Sequence, residues 1–436
     1  MKLRIGLSEL VRNCYKFCRI DMDHLFLFIL AIVSSFLMSW AIGANDVANA
    51  MGTSVGSKTI SMRQAIVIAA IFEALGAFSA SGQVTQTLRQ GIVSPHHFVD
   101  DPFVLVFGML SALFASATWL ILATYRGWPV STTHTIIGAI VGFAMVTVGP
   151  SQINWSLASD VVMSWVFTPL LSAIGAFLLF KSIYFFVLAR KKPDQAAIIC
   201  LPIYVFFSVM VTVLITLLQG LKPLGFNISL SQATLFSFFI ALVATVSVFL
   251  SIKNIVDNDQ MDPFHFNFVE RSFGVLTVFT ACSMAFAHGS NDVANAIGPL
   301  AAIVDILNHQ QHFVEAAPIP IWIVTLGSVG VVLGLAMYGY RIMDTVGSKI
   351  TTLTPSRSFS AQMSTAIVVI LSSGFGFPVS TTQTLVGALL GVGFARGISA
   401  LNLNVVRSIF SSWLITLPCG ALLSISYYFI LSWGLR

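Results

Sequence analysis

Apolar residues run along this chain in unbroken stretches rather than in narrow stripes. Positions 24–42, 102–125, 197–218, 235–252 and 413–431 each come close to the roughly 20 residues that a helix needs to cross a bilayer. Backbone groups find no water in a bilayer core, so the predicted elements are helices. The alternating polarity of an outer-membrane barrel strand does not occur. The pattern predicts an all-α polytopic membrane protein with roughly 10–12 transmembrane helices, depending on whether interrupted segments count as one span or two half-spans.

Composition points the same way. The 436 residues are 56% hydrophobic and 9% charged, with mean hydropathy +0.89, where a soluble domain carries about 25% charged residues. That leaves little room for a soluble enzyme. The net charge of +5 comes from short basic clusters, Lys2, Arg4, Arg12, Lys16 and Arg19, then Arg190, Lys191 and Lys192. In a membrane protein such clusters mark cytoplasmic faces rather than nucleic-acid contacts, so both are expected on the inner side. Residues 1–22 read as a basic segment and not as a cleaved signal, because no small-residue cleavage site follows the first apolar stretch. The five cysteines are scattered and form no CxxC pair, which argues against a disulfide framework or a zinc site.

An internal repeat decides the architecture. GANDVANA at 43–50 returns as GSNDVANA at 289–296, and GWPVSTTHTIIGAIVG from Gly127 returns as GFPVSTTQTLVGALLG from Gly376. Gly43 and Val130 are 87 positions apart, and Gly289 and Val379 are 90 apart. Two motifs in the same order at nearly the same interval make chance a poor explanation. The reading divides the chain into a first repeat at 23–150, linking helices at 151–252 and a polar loop at 253–271. A second repeat follows at 272–394, and a C-terminal helix at 395–436. Two inverted-topology repeats with broken helices and re-entrant hairpins are expected.

Each motif carries its own chemistry. Asn45, Asp46 and Asn49, with Asn291, Asp292 and Asn295, bring hard oxygen atoms to a glycine-punctuated stretch where a helix would unwind and free its carbonyls. Such a set suits a small cation, although helix capping explains a single copy equally well. Pro129 and Pro378 suit a first helical turn. They would place Ser131, Thr132, Thr133 and Ser380, Thr381, Thr382 at helix N-termini, where free N–H groups, the dipole and hydroxyls favour an anion. Ordinary Ser/Thr capping is the plainer reading of one copy. Neither motif pair holds Lys or Arg at its centre, so bound cations and a bound oxyanion are expected to neutralise one another.

Four further residues are candidates for the pathway. Glu73 sits in the apolar run AIVIAAIFEALGAF, with Gln362 as its expected counterpart. His134 follows the first PVSTT, where the second half has Gln383. A proton relay shared by both halves is thereby disfavoured. His288, where the first half has Ile42, reads as a local hydrogen-bonding residue. VGSK at 55–58 and 346–349 falls out of register and reads as coincidence.

These motifs resemble the inorganic phosphate transporter (PiT) family over most of the chain, from about Leu25 to Leu431. The resemblance implies a secondary transporter of inverted repeats that carries phosphate with Na⁺ or H⁺, as a homodimer of independent protomers. It places Asp46, Asn49, Asp292 and Asn295 in the cation and phosphate site, and the two STT triplets at phosphate. Proton-coupled members tend toward a histidine variant of the first motif, so Ala44 and Asn45 make this chain more similar to the sodium-coupled branch. The expectation is a sodium-coupled phosphate symporter in the cell membrane, surrounded by lipid, with no organic cofactor, no nucleic-acid partner and no enzymatic reaction. Proton coupling, a sulfate or other oxyanion permease of the same fold and an anion channel are the alternatives.

Overall fold

The computed structural model describes residues 22–220, 228–257, 268–308, 319–397 and 401–435. They hold sixteen α-helices. Helix α1 (Met22–Ile42) passes through a π-turn (Gly43–Val47) into α2 (Ala48–Gly56). Helix α3 (Met62–Ala80) opens on a capping box in which Ser61 and Gln64 satisfy each other's backbone N–H. Next come α4 (Gly82–Gln86), a second π-turn (Thr87–Gly91), α5 (Pro102–Tyr125), α6 (Thr132–Thr147) and α7 (Trp155–Ile183). Helices α8 (Pro193–Ile215) and α9 (Leu230–Asp257) lead to the second half. There α10 (Phe268–Asn291) breaks into α11 (Ala294–Asn308), followed by α12 (Ile321–Tyr338) and α13 (Tyr340–Asp344). Helices α14 (Pro355–Gly374), α15 (Thr381–Arg396) and α16 (Leu403–Leu435) complete the chain.

Among the described residues, nine helical stretches are long and apolar enough to cross a membrane, beside the shorter apolar α6. The number falls below ten to twelve partly because a broken helix still runs on as one rod: 24–56 and 268–308 each count once. Apolar side chains that would be core in water face outward here. Phe236, Phe239, Leu242 and Val243 on α9 are all exposed, as expected of a surface solvated by lipid.

Close glycine contacts fix how the halves correspond. A Cβ on Gly43 would overlap the Val331 carbonyl, and one on Gly289 would overlap the Glu73 carbonyl. Gly76 meets Phe286 as Gly334 meets Trp40. Thus α1 packs on α12 as α10 packs on α3. The same exchange continues further along the chain. Gly138 and Gly142 of α6 meet the carbonyls of Leu417 and Ala421 on α16, while Gly387 and Gly391 of α15 meet those of Pro169 and Ala173 on α7. Small residues let helix backbones touch where no hydrophobic effect drives them together.

The two halves start from opposite ends of the bundle. At one end the His24 ring lies 5.2 Å from Phe103, and Asn154 N donates to Ile92 O at 3.0 Å. At the other, Glu270 accepts from Ser356 N at 2.8 Å, and Asn402 N donates to Ile350 O at 3.0 Å. Helix α1 begins at the first end, α10 at the second. Helix α7 starts beside Ile92 and runs the length of the bundle, so Arg190, Lys191 and Lys192 lie at the second end. Lys2–Arg19 lie outside the described residues. The expectation of one shared face for both basic clusters thus involves residues outside the described ones.

Candidate functional site

Each hairpin is set by a glycine at positive φ, +69° at Gly127 and +79° at Gly376, where a side chain would be strained. Thr345 and Thr87 donate to the carbonyls of these two glycines, at 3.4 and 2.8 Å. Pro129 and Pro378 were expected in the first helical turn, but α6 and α15 start only at Thr132 and Thr381. The prolines stand in the extended arm before the N-cap and hold the preceding residue extended. Ser131 and Ser380 are the N-caps: their Oγ atoms accept from His134 N at 3.1 Å and Gln383 N at 3.2 Å. The serine oxygens thus cap the two helices.

The threonines do different work. Thr132 Oγ1 donates to Asp46 Oδ2 at 2.8 Å, and Thr382 Oγ1 to Asp46 Oδ1 at 2.5 Å. Thr133 Oγ1 donates to Asp292 Oδ1 at 3.2 Å. Thr381 Oγ1 reaches both carboxylates, Asp292 Oδ2 at 2.6 Å and Asp46 Oδ1 at 3.2 Å. The two hairpin helices meet at their N-termini, where Thr133 also contacts Val379 O at 2.9 Å and Thr382 contacts Val130 O at 3.3 Å. All of these side chains are buried. Four hydroxyls from two helix ends thus converge on two carboxylates from two helix breaks.

The asparagines divide into two kinds. Asn45 and Asn291 splint the hairpins to the broken helices. Asn45 Nδ2 donates to Thr124 Oγ1 at 2.9 Å and Trp128 O at 3.0 Å, and Asn291 Nδ2 to Ser373 Oγ at 2.9 Å and Phe377 O at 3.1 Å. Asn295 Nδ2 sits inside the cluster, 3.2 Å from both Asp292 Oδ1 and Thr132 Oγ1. The buried Oδ1 atoms of Asn291 and Asn295 have no hydrogen-bond partner among the described residues. Asn295 lies against Asp292, and buried oxygens without a donor are of the type that suits a hard cation. The side chain of Asn49 lies outside the described residues.

His288 reaches further than a local role. Its Nδ1 lies 2.9 Å from Glu73 Oε2, and its Nε2 lies 3.2 Å from Asp292 Oδ2, at ion-pair distance but outside hydrogen-bond geometry. Asp46, His288 and Asp292 offer ligand atoms within 4.8 Å of one another. Among the described residues, three buried carboxylates and one imidazole therefore share a region without Lys or Arg, a concentration of charge that needs added cations or protons.

The other pathway candidates stand apart. The glycine contacts equate Glu73 with Val331, so Gln362 is not its counterpart. Gln362 instead ties helices together, accepting from Thr280 at 2.9 Å and donating to Ser54 at 2.7 Å. His134 packs on the Trp165 ring with centroids 3.8 Å apart, and its side chain meets that of its counterpart Gln383. Thr124 and Ser373, not expected at the site from the motifs, also hold its asparagines. A signal was present, since each stands three residues before its hairpin glycine.

A model described as the phosphate transporter family matches residues 42–424. A relative from Haemophilus influenzae named as a phosphate permease is 49% identical over 402 residues, covering 92% of this chain and 96% of the relative. The chloroplastic inorganic phosphate transporter 2-1 of Arabidopsis thaliana is 42% identical over 422 residues, covering 92% and 71%. A solved structure described as the sodium-dependent phosphate transporter superposes with TM-score 0.86 at 38% identity, covering 94% of this chain and 99% of its own.

Proposed function

This chain belongs to the phosphate transporter family, and from that membership we propose that it is a sodium-coupled symporter of inorganic phosphate working by alternating access. The observation that carries the reading is the convergence of the Thr132, Thr133, Thr381 and Thr382 hydroxyls on Asp46 and Asp292. Sodium coupling draws support from the structural relative described as sodium-dependent and from the orphaned oxygens of Asn291 and Asn295.

The proposed order of events follows from hydrogen-bond accounting. With the carboxylates bare, the threonine protons are held by Asp46 and Asp292 and repel no phosphate, but the carboxylates do. Na⁺ bound to the carboxylates and asparagine oxygens cancels that repulsion and weakens the hold on the threonine protons. The hydroxyls then turn to a phosphate at the paired helix N-termini, where the dipoles favour an anion. Cations first, anion second, is the sequence this geometry supports. Inverted repeats extending through α7 and α16, rather than ending near 150 and 394, are the moving parts in this reading. A homodimer in the cell membrane remains part of the proposal. A proton in place of one Na⁺ is a second reading, favoured by His288 between Glu73 and Asp292.

Uptake of labelled phosphate into proteoliposomes tests the proposal. Accumulation driven by an inward sodium gradient is expected, with little competition from sulfate. Accumulation indifferent to sodium and driven by a pH gradient would replace Na⁺ by H⁺. Equal competition by sulfate would widen the substrate to tetrahedral oxyanions.

A further inference from the structure

A cavity of about 590 Å³ opens beside the first hairpin and is lined by Arg126, Trp128, Pro129, Arg341, Thr345 and Ser408, among others. Its floor is the hairpin itself. Trp128 O and Val130 N of that hairpin are held by Asn45, the residue before Asp46. Both arginines keep donors free. The Arg126 guanidinium makes no hydrogen bond with a described residue and lies over the Trp128 ring, 5.2 Å from its centroid. Arg341 donates Nη1 to Tyr125 O at 3.0 Å and Nε to Tyr340 OH at 3.3 Å, which leaves Nη2 without a partner among the described residues. The rings of Tyr125 and Tyr338, 5.2 and 5.3 Å from its Cζ, fix the guanidinium at the rim.

The charge is one-sided. In the register that equates Gly127 with Gly376 and Thr345 with Thr87, the places of Arg126 and Arg341 are taken by Phe375 and Gln83. A second cavity, of about 540 Å³, lies near the opposite end between Gln90–His97 and Ser151–Asn154, and no Lys or Arg lines it. Close to Gln90, the ion pair of Arg89 with Asp305 is itself buried.

We infer that the Arg126–Arg341 vestibule is a separate, low-affinity site for a phosphate group, through which the oxyanion passes on one face of the transporter only. The inference rests on the phosphate reading above. Guanidinium forks suit phosphate oxygens, and a basic cleft concentrates anions at its mouth. The phosphate group belongs either to free inorganic phosphate or to an anionic lipid headgroup reaching in from the rim.

The test uses full-length protein in proteoliposomes, with the orientation of the protein determined and the phosphate KM measured separately from each face. The wild type must first accumulate phosphate; if it does not, the proposed function fails and not this site. For R126Q/R341Q, the KM on the vestibule face is expected to rise about three-fold or more, with less dependence on ionic strength. The KM on the other face and the sodium dependence should stay as they were. R126K/R341K keeps the charge but not the fork and should restore only part of the loss. R126Q alone touches no described hydrogen bond, and it repeats the test if the double variant is poorly folded. A rise seen in pure phosphatidylcholine vesicles assigns the site to free phosphate. A rise seen only with phosphatidylglycerol present assigns it to the lipid headgroup. No rise, or an equal rise on both faces, overturns the site.

Discussion

Thr382 and Asp46 stand 336 positions apart and belong to different repeats, yet the threonine hydroxyl donates to the carboxylate at 2.5 Å. Neither repeat can build this contact alone. Because Asp46 also accepts from Thr132 of its own repeat, its charge is where the two hairpins are read together.

Asp46→Asn and Asp292→Asn should therefore each raise the half-saturating sodium concentration for phosphate uptake. An ionic contact is worth about 1.5–3 kcal/mol, so a shift of about ten-fold or more is expected at unchanged membrane expression. Sodium titrations of uptake decide the point. Curves that overlay the wild type in both variants would remove the carboxylates from cation binding.

Serine and threonine of the same triplet should separate by readout. Ser131→Ala deletes a helix cap at a cost of about 1 kcal/mol, which a lower apparent melting temperature in detergent will report, with the phosphate KM nearly unchanged. Thr132→Val removes a hydroxyl proposed to move from carboxylate to phosphate. It should raise the KM about five-fold, the effect of one neutral hydrogen bond. A reversed pattern would make Ser131 the ligand and Thr132 the structural residue.

Gly289→Ala probes the fit between the halves. Its Cβ would overlap the Glu73 carbonyl, and overpacking of this kind costs about 1–3 kcal/mol. Loss of folded protein on size-exclusion chromatography is expected, while Gly434→Ala, with open space around it, should behave as wild type. A well-folded, fully active Gly289→Ala protein would mean that α10 and α3 separate easily.

The buried pair of Arg89 with Asp305 should show strong non-additivity. Arg89→Gln breaks the ion pair at a buried carboxylate, a loss of about 3–5 kcal/mol for a broken pair. Adding Asp305→Asn should recover part of it. Apparent melting temperatures of the two singles and the double form the cycle, and additive losses would mean that the two charges are not coupled.

Much was legible without coordinates. The apolar runs determine a helical membrane protein because bilayer physics leaves a backbone few choices. The duplicated NDVANA and PVSTT mark the site because polar side chains at such depth are costly without a use. That the two motif types would lie together was expected from residue types, and Thr382 with Asp46 places them in contact. What local sequence could not specify was partnership across the fold. Gln362 looked like the mate of Glu73 by spacing, but loops of unequal length shift the register, and only the contact of Gly289 with Glu73 and of Gly43 with Val331 shows the true correspondence. Ser131 and Thr132 look alike as neighbours. Their duties diverge because the first helical turn points one hydroxyl at its own backbone and the other at a carboxylate. His288 read as a local residue, and the tertiary structure made it the link between Glu73 and Asp292. Such links depend on helices distant in sequence crossing at one point, and crossing is decided by how whole surfaces pack.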